Sequence, residues 1–454
     1  MLLLMLLAVA LACCFWRSCI YVLAWAGHEH LDLVVPLFIH VDAGPITKRL
    51  STYILQWGSI LGYGSELEQC FIMATWIADG DRSNEVYDEL EWSLSCLSAG
   101  RFPERDRHGV AFPEDSWRHT VANQLLAPAC GDAGLGFSAA FIQLRGDLEW
   151  LCNGLGLNHF NSFNPCGLCG ADREDIPWVH FSTRAKWLET IYTVDGFLER
   201  YATADSHKLF RVAGMTPQTI SIDLLHVLDH NGLTSNILGN LFYEAIRDRE
   251  LGNRSQAEGL DILNRRIKEF NSQANLPAHL PTLTLQSLIN TQAATTSFPC
   301  LQGRAIKAAN TRHCVPFAVA LAREMDDGRA HTMHRRRCLE ELHAFYELVY
   351  NCPMFLTEAQ SRKMQQHVFG CLHHYVWLAK ASARVGICGW RIVPKAHYFF
   401  HVGLRSDFMN PRFGQTYINE SLVGRICNIY KSSLTGPAHS NRRVQRSVLT
   451  KYLT

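Results

Sequence analysis

Two sets of side chains in this sequence have the types and spacing of ion-binding chemistry. The first is acidic. His40-Val41-Asp42-Ala43-Gly44 closes one apolar run, Gly146-Asp147 closes another, and Glu420 lies far along the chain. Two aspartates from different strand ends and a distant glutamate suit a pair of magnesium ions in phosphoryl transfer. Such ions take oxygen ligands, and the pair must face one phosphate. The second set is soft. Cys166-Gly-Leu-Cys169 begins nineteen residues past Asp147, and His397-x-x-x-His401 ends nineteen residues before Glu420. Two cysteines and two histidines are the donor set of one tetrahedral zinc. Pro165 and Gly167 shape a turn that aims both sulfurs at one ion. His397 and His401 follow Pro394-Lys395 and stand one helical turn apart, which puts both rings on one face.

Each signal also has a plainer reading. An aspartate after an apolar run is commonly a turn residue, and Gly44 and Gly146 suit turns equally well. Asp81, Glu149 and Asp229 are rival acids, and His226, His313, His373 and His374 are rival imidazoles. A lone Cys-x-x-Cys can be redox-active, but no thioredoxin-like βαβ pattern places this one at a helix start. Asp223-Leu-Leu-His226 opens an apolar helix. Asp223 reads as an N-cap and His226 as a satisfied core histidine, or the pair binds metal or touches substrate.

The elements that must position these groups follow from periodicity. Residues 31–41 form a β-branched run, read as a buried strand whose carboxyl end is Asp42. Residues 71–78 and 139–144 read as two more strands. Acids at the carboxyl ends of buried strands are a common active-site address in α/β folds. Residues 100–118 read as a loop. Residues 153–177 are rich in Gly, Asn and Pro and hold the cysteine pair. Apolar residues at three- and four-residue spacing then predict helices over 184–201, 223–249, 258–270, 331–350 and 357–383. Residues 271–316 read as loop or short helix. Asn419 is the expected N-cap of a helix carrying Leu422, Val423, Ile426, Ile429 and Tyr430, which puts Glu420 in its first turn.

Composition narrows the function classes. A 454-residue chain has material for two or three cores, and 48% apolar with 19% charged residues excludes a disordered chain. A net charge of +1 excludes chain-wide attraction to polyanions. Phosphate contact would fall to local basic runs, Arg335-Arg336-Arg337 and residues 431–454. Sixteen cysteines fall short of a disulfide scaffold, and Cys96, Cys338, Cys371 and Cys427 sit in apolar segments as buried thiols do. Residues 1–26 are apolar apart from Arg17-Ser18. Ala24-Trp25-Ala26 resembles a signal cleavage site, though the basic leading region is missing. Read as a signal peptide or anchor, this segment implies membrane or secretory localisation, with Asn253 and Asn419 as glycosylation acceptors.

Four stretches resemble the catalytic segments of CACTA-group DDE transposases of the Tnp2-like and KDZ-like kinds. They are HVDAGPITKRLSTYILQWGSIL, GDLEWLCNGLGLNHFNSFNPCGLCGAD, SIDLLHVLDHNGLTSNILGN and PKAHYFFHVGLRSDFMNPRFGQTYINESLVGRI. The resemblance implies an α/β fold: a ribonuclease H-like mixed sheet core interrupted by a large, mostly helical insertion. The corresponding division is an apolar leader at 1–26, the first part of the core at 31–150, a zinc knuckle and helical insertion at 151–395, and the return to the core at 396–454. Asp42, Asp147 and Glu420 would hold two Mg2+, activating water or a 3′-hydroxyl for attack on a phosphodiester. Cys166, Cys169, His397 and His401 would hold one structural Zn2+. DNA would be the partner and the nucleus the location. With about forty residues ahead of Asp42, no separate DNA-binding domain is expected before the core. Ala43 stands where the family usually has a second glycine, and the His-x-x-x-His spacing is one residue tighter than in the related recombinases. These departures suggest a decayed or domesticated copy. Two other readings stand beside this one. One is a non-enzymatic membrane-anchored or secreted globular protein. The other is a zinc-stabilised nucleic-acid-binding module without catalysis.

Overall fold

β-Branched and aromatic residues build the sheet. The computed structural model describes residues 31–48, 50–62, 64–77, 83–129, 135–293, 296–407 and 409–433. The apolar segment 1–26, Asp81 and the basic tail from 434 onward lie outside them. The strands and longer helices, in chain order, are β1 (Val34–Pro45), β2 (Ser51–Ser59), β3 (Phe71–Ile77), α1 (Ser83–Ala99), β4 (Ser138–Arg145), α2 (Leu148–Asn153) and α3 (Val194–Tyr201). There follow α4 (Leu233–Arg247), α5 (Gln256–Ala274), α6 (Val315–Glu324), α7 (Ala330–Asn351), α8 (Glu358–Arg384), α9 (Pro394–Leu404) and α10 (Tyr417–Ser433). The protein is mixed α/β, a small mixed sheet with many helices. Among the described residues no helix is long and apolar enough to cross a membrane.

The chain divides into two units. The first comprises Met1–His159, Tyr192–Ser221 and Gly414–Thr454; the second comprises Phe160–Ile191 and Ile222–Phe413. These boundaries differ from those drawn on the sequence. Residues 192–221 return to the first unit, where Leu144 N–H donates to Thr219 and Ser221 N–H donates to Leu144, extending the edge beside β4. Helix α9, expected in the returning core, stays with the second unit because it packs on α8.

In the first unit the strand order is β3-β2-β1-β4. β1 pairs antiparallel with β2 and parallel with β4, and β2 pairs antiparallel with β3. Val34 to Val41 are buried without interruption, as a central strand covered on both faces must be. The strand does not end at Asp42 but continues to Pro45, because β2 supplies partners that far. β2 was not foreseen from the sequence, although Thr52, Ile54 and Trp57 carry the β signal. Helix α10 lies on β1 and β2, burying Leu422, Val423, Ile426, Cys427 and Tyr430. Gly44 serves this approach rather than a turn: a Cβ there would stand 2.1 Å from the Cys427 sulfur. Helix α1 packs on β4.

The second unit is helical. Helices α7 and α8 pack along one another and α9 packs on α8. Thr357 caps α8 through a reciprocal capping box with Gln360. The helix expected over 223–249 is interrupted. Leu225–Asp229 form one π-turn, Asn231 takes φ +48°, and α4 starts after Gly232.

Candidate metal centre and acidic strand ends

Cys166, Cys169, His397 and His401 meet in the second unit. One ligand atom from each lies within 4.8 Å of all the others, and they are the only such group of three or more His, Cys, Asp or Glu among the described residues. All four side chains are buried. Pro394 opens α9 and sets the two histidines a turn apart on it. The opposing knuckle is fastened by Gly170 N–H donating to Thr190 and by a bridge between Cys169 and Ile191. Cys169 Sγ lies 3.3 Å from His397 Nε2, and Cys166 Sγ lies 3.5 Å from His401 Nε2. A tetrahedral ion with bonds of about 2.3 Å to sulfur and about 2.0 Å to nitrogen separates such ligands by about 3.5 Å. The four groups can therefore hold a metal ion such as zinc.

The surroundings orient these ligands. His397 Nδ1 donates to the Trp178 carbonyl at 2.9 Å, which fixes the ring and leaves Nε2 to ligate. Leu168 N–H donates to Cys166 Sγ, and Gly167 N–H donates to the Tyr398 hydroxyl. The Trp187 ring lies 4.4 Å from His397 and 5.1 Å from His401, closing the centre to water. Burial pushes the Cys166 thiol up. The hydrogen bond with Cys169 and the two imidazoles outweigh it, so Cys166 is held well below the usual thiol range. Cys169 is raised, first by its hydrogen bond with Cys166 and then by burial. Burial lowers His401 and brings the Arg405 guanidinium down to about 10, with Cys166, Tyr398 and Cys169 close enough to act on Arg405. Trp178, Trp187 and Arg405 carried no mark in the sequence, since nothing in their spacing points to a knuckle.

The acids belong to the first unit. Asp42 lies two residues past His40, which pairs with Arg145 across β1 and β4; Asp147 lies two residues past Arg145. The two aspartates therefore stand at about the same level, Asp42 within β1 and Asp147 just past the end of β4. Asp147 caps α2, its Oδ1 accepting from Trp150 N–H at 2.6 Å. Asp42 Oδ1 accepts from Ala43 N–H at 2.7 Å. Glu420 lies in the first turn of α10. All three are half-buried. Asn419 is not the N-cap, since α10 begins at Tyr417. Its amide instead donates to Gln56 and accepts from Arg145, which ties the start of α10 to β2 and β4. Arg145 also donates twice to Gln143 and stacks on Phe38 at 3.8 Å. The three carboxylates do not form a tight ligand cluster of the kind the cysteines and histidines make.

Other sequence candidates fall elsewhere. Asp223 Oδ2 meets His226 Nδ1 at 2.6 Å, and Asp223 Oδ1 accepts from Leu225 N–H. Among the described residues the pair joins no ligand group of three; Asp223 stands just before the π-turn and His226 within it. Asp229 is buried and accepts from the Tyr346 hydroxyl. Arg335-Arg336-Arg337 is no phosphate-binding run. Arg335 is 1% exposed and bound to Glu244 and Glu250, Arg336 pairs with Asp326 and Glu340, and Arg337 also faces Glu340. Both candidate glycosylation asparagines are buried. Asn253 donates to Ile246 and Ser255, and Asn419 to Gln56 and Cys70, so neither amide can carry a glycan in this fold. No protein-family model matches the chain, and no curated protein matches it.

Proposed function

We propose that this protein is transposase-derived, with a ribonuclease H-like first unit that cleaves or joins DNA strands and a second unit held by zinc. The observation that carries the reading is the placement of Asp42, within β1, and Asp147, just past β4, at about the same level, with Glu420 in a helix tied to the same sheet. The mixed sheet, three strands in antiparallel succession and a fourth parallel to the first, supports the core that the resemblance implies. An ionised carboxylate offers about four lone-pair sites, more than the one backbone bond seen at Asp42 and at Asp147 uses. Two Mg2+ bound there would stabilise the attacking and leaving oxygens of an in-line phosphoryl transfer. Asp42, Asp147 and Glu420 would hold those ions. Arg145, pinned by Gln143 and Phe38, is a buried positive charge two residues before Asp147.

Zinc is the ion assigned to Cys166, Cys169, His397 and His401. Two thiolates and two imidazoles in a closed, dry shell are the donors of a structural site, with no open position for catalysis. The decisive assay is Mg2+-dependent nicking of duplex DNA by the full chain, alongside Asp147→Asn. Nicking that requires Asp147 supports the reading; equal activity in both proteins rejects its catalytic part. A second reading rests on the absence of a tight carboxylate cluster. There the chain keeps the fold and binds nucleic acid without chemistry, giving salt-sensitive DNA binding and no cleavage.

A further inference from the structure

We propose that the first unit contains a binding site for an uncharged, hydrocarbon-like small molecule, between the sheet and α1. A half-open pocket of about 250 Å³ lies there. Ile39 and Trp57 line it from the sheet and Leu94 and Leu97 from α1; among the described residues the hydroxyl-bearing side chains in its wall are Ser93 and Ser138. Protein interiors are packed about as densely as organic crystals. A pocket of this size, lined almost entirely by aliphatic and aromatic groups, leaves its walls without the contacts an apolar occupant would supply.

The lining selects the occupant. It contains no Lys, Arg, Asp, Glu or His, so a charged group would lose its hydration with nothing in return. An extended peptide would bring an N–H and a C=O per residue to a wall that has two hydroxyls to offer. A concave apolar pocket with one or two polar groups in its wall is the usual form of a small-molecule site. What remains is a compact apolar molecule with at most one hydroxyl or carbonyl, placed against Ser93. The site does not depend on the acids. Ile39 points to the face opposite His40 and Asp42, because successive strand residues alternate.

The test is fluorescence titration of the full-length protein with 1-aminoanthracene, with decan-1-ol as competitor. Saturable binding displaced by decanol is expected. Leu94→Trp, which fills the space from α1, should weaken it at least tenfold; Ala139→Leu, from β4, should do the same if Leu94→Trp does not fold. Asp147→Asn should bind the probe unchanged, which separates this site from the catalytic reading. Absence of saturable binding overturns the proposal, as does an unchanged Kd in a filled variant with a native circular-dichroism spectrum. Probe binding that disappears as protein concentration rises also overturns it, because a second copy then occupies the space.

Discussion

The two candidate sites differ in how complete they are without their ions. In the second unit, four soft ligands already stand within 4.8 Å of one another, buried, with Trp178 and Trp187 against His397. In the first unit, three carboxylates share one end of the sheet, half-buried, each set by local backbone or helix geometry. On the proposed reading, the difference follows from the chemistry of the ions. A structural zinc site is closed and dry, so its shell is built by packing. Magnesium keeps several waters and shares its coordination with a substrate phosphate, so its site must stay open on one side. Like charges also resist convergence until cations arrive. One site is a piece of core; the other is a set of half-buried carboxylates at one end of a sheet.

The comparison breaks most easily at the cysteines. Cys166→Ser with Cys169→Ser should abolish metal content, expected near one zinc per chain, and unfold the second unit, because zinc binding of about 10–16 kcal/mol in small domains is folding free energy. Elemental analysis and thermal melts read both effects. A double variant that melts like the parent shows the centre to be dispensable. At the acids the effect should fall on activity alone. Asp147→Asn should eliminate nicking yet leave stability within about 0.5 kcal/mol, since Asn caps a helix as well as Asp does; Asp147→Ala should cost about 1 kcal/mol more. If Asn destabilises as much as Ala, Asp147 does more in the fold than cap α2.

A smaller loss should follow Trp187→Ala, which opens the wall over both histidines. We expect about 3–5 kcal/mol and faster zinc loss to a chelator. Chelation at the parental rate would show that Trp187 does not seal the centre. The smallest effect concerns acid. His207 lies against Tyr87 at 4.1 Å, accepts from Leu209 N–H through Nδ1, and is pushed down to about 4 by burial. The unfolded chain therefore takes up this proton first as pH falls. The contribution of neutral His207 is complete above about pH 6.5 and is lost progressively as pH drops toward 4. His207→Phe should flatten stability in that window, as urea melts at several pH values would show; an unchanged pH slope would refute the assignment.

Much of the fold was legible wherever one segment carried its own periodicity. The strand around Ile39, the strand 139–144 and the long helix of Met364, Val368, Cys371 and Tyr375 were readable because burial on one or two faces imposes a repeat on neighbours in sequence. β2 escaped because its neighbours in sequence end in polar turns that mask a short alternating run. The π-turn at Leu225–Asp229 escaped because its apolar spacing is that of a helix; the break comes from Asn231 and Gly232. Arg335 looked like a solvated basic residue until Glu244 and Glu250 enclosed it.

By itself the sequence determined the mixed α/β class, the donor types and the helical turn between His397 and His401, since each depends on residues close together in the chain. Tertiary structure alone decided that Cys169 faces His397 across 228 residues, that Asn253 and Asn419 are buried, and that Asp42 and Asp147 share a level. Those facts depend on which distant segments pack together. Strand register and helix docking are fixed by burial summed over whole faces, and no local spacing encodes that sum.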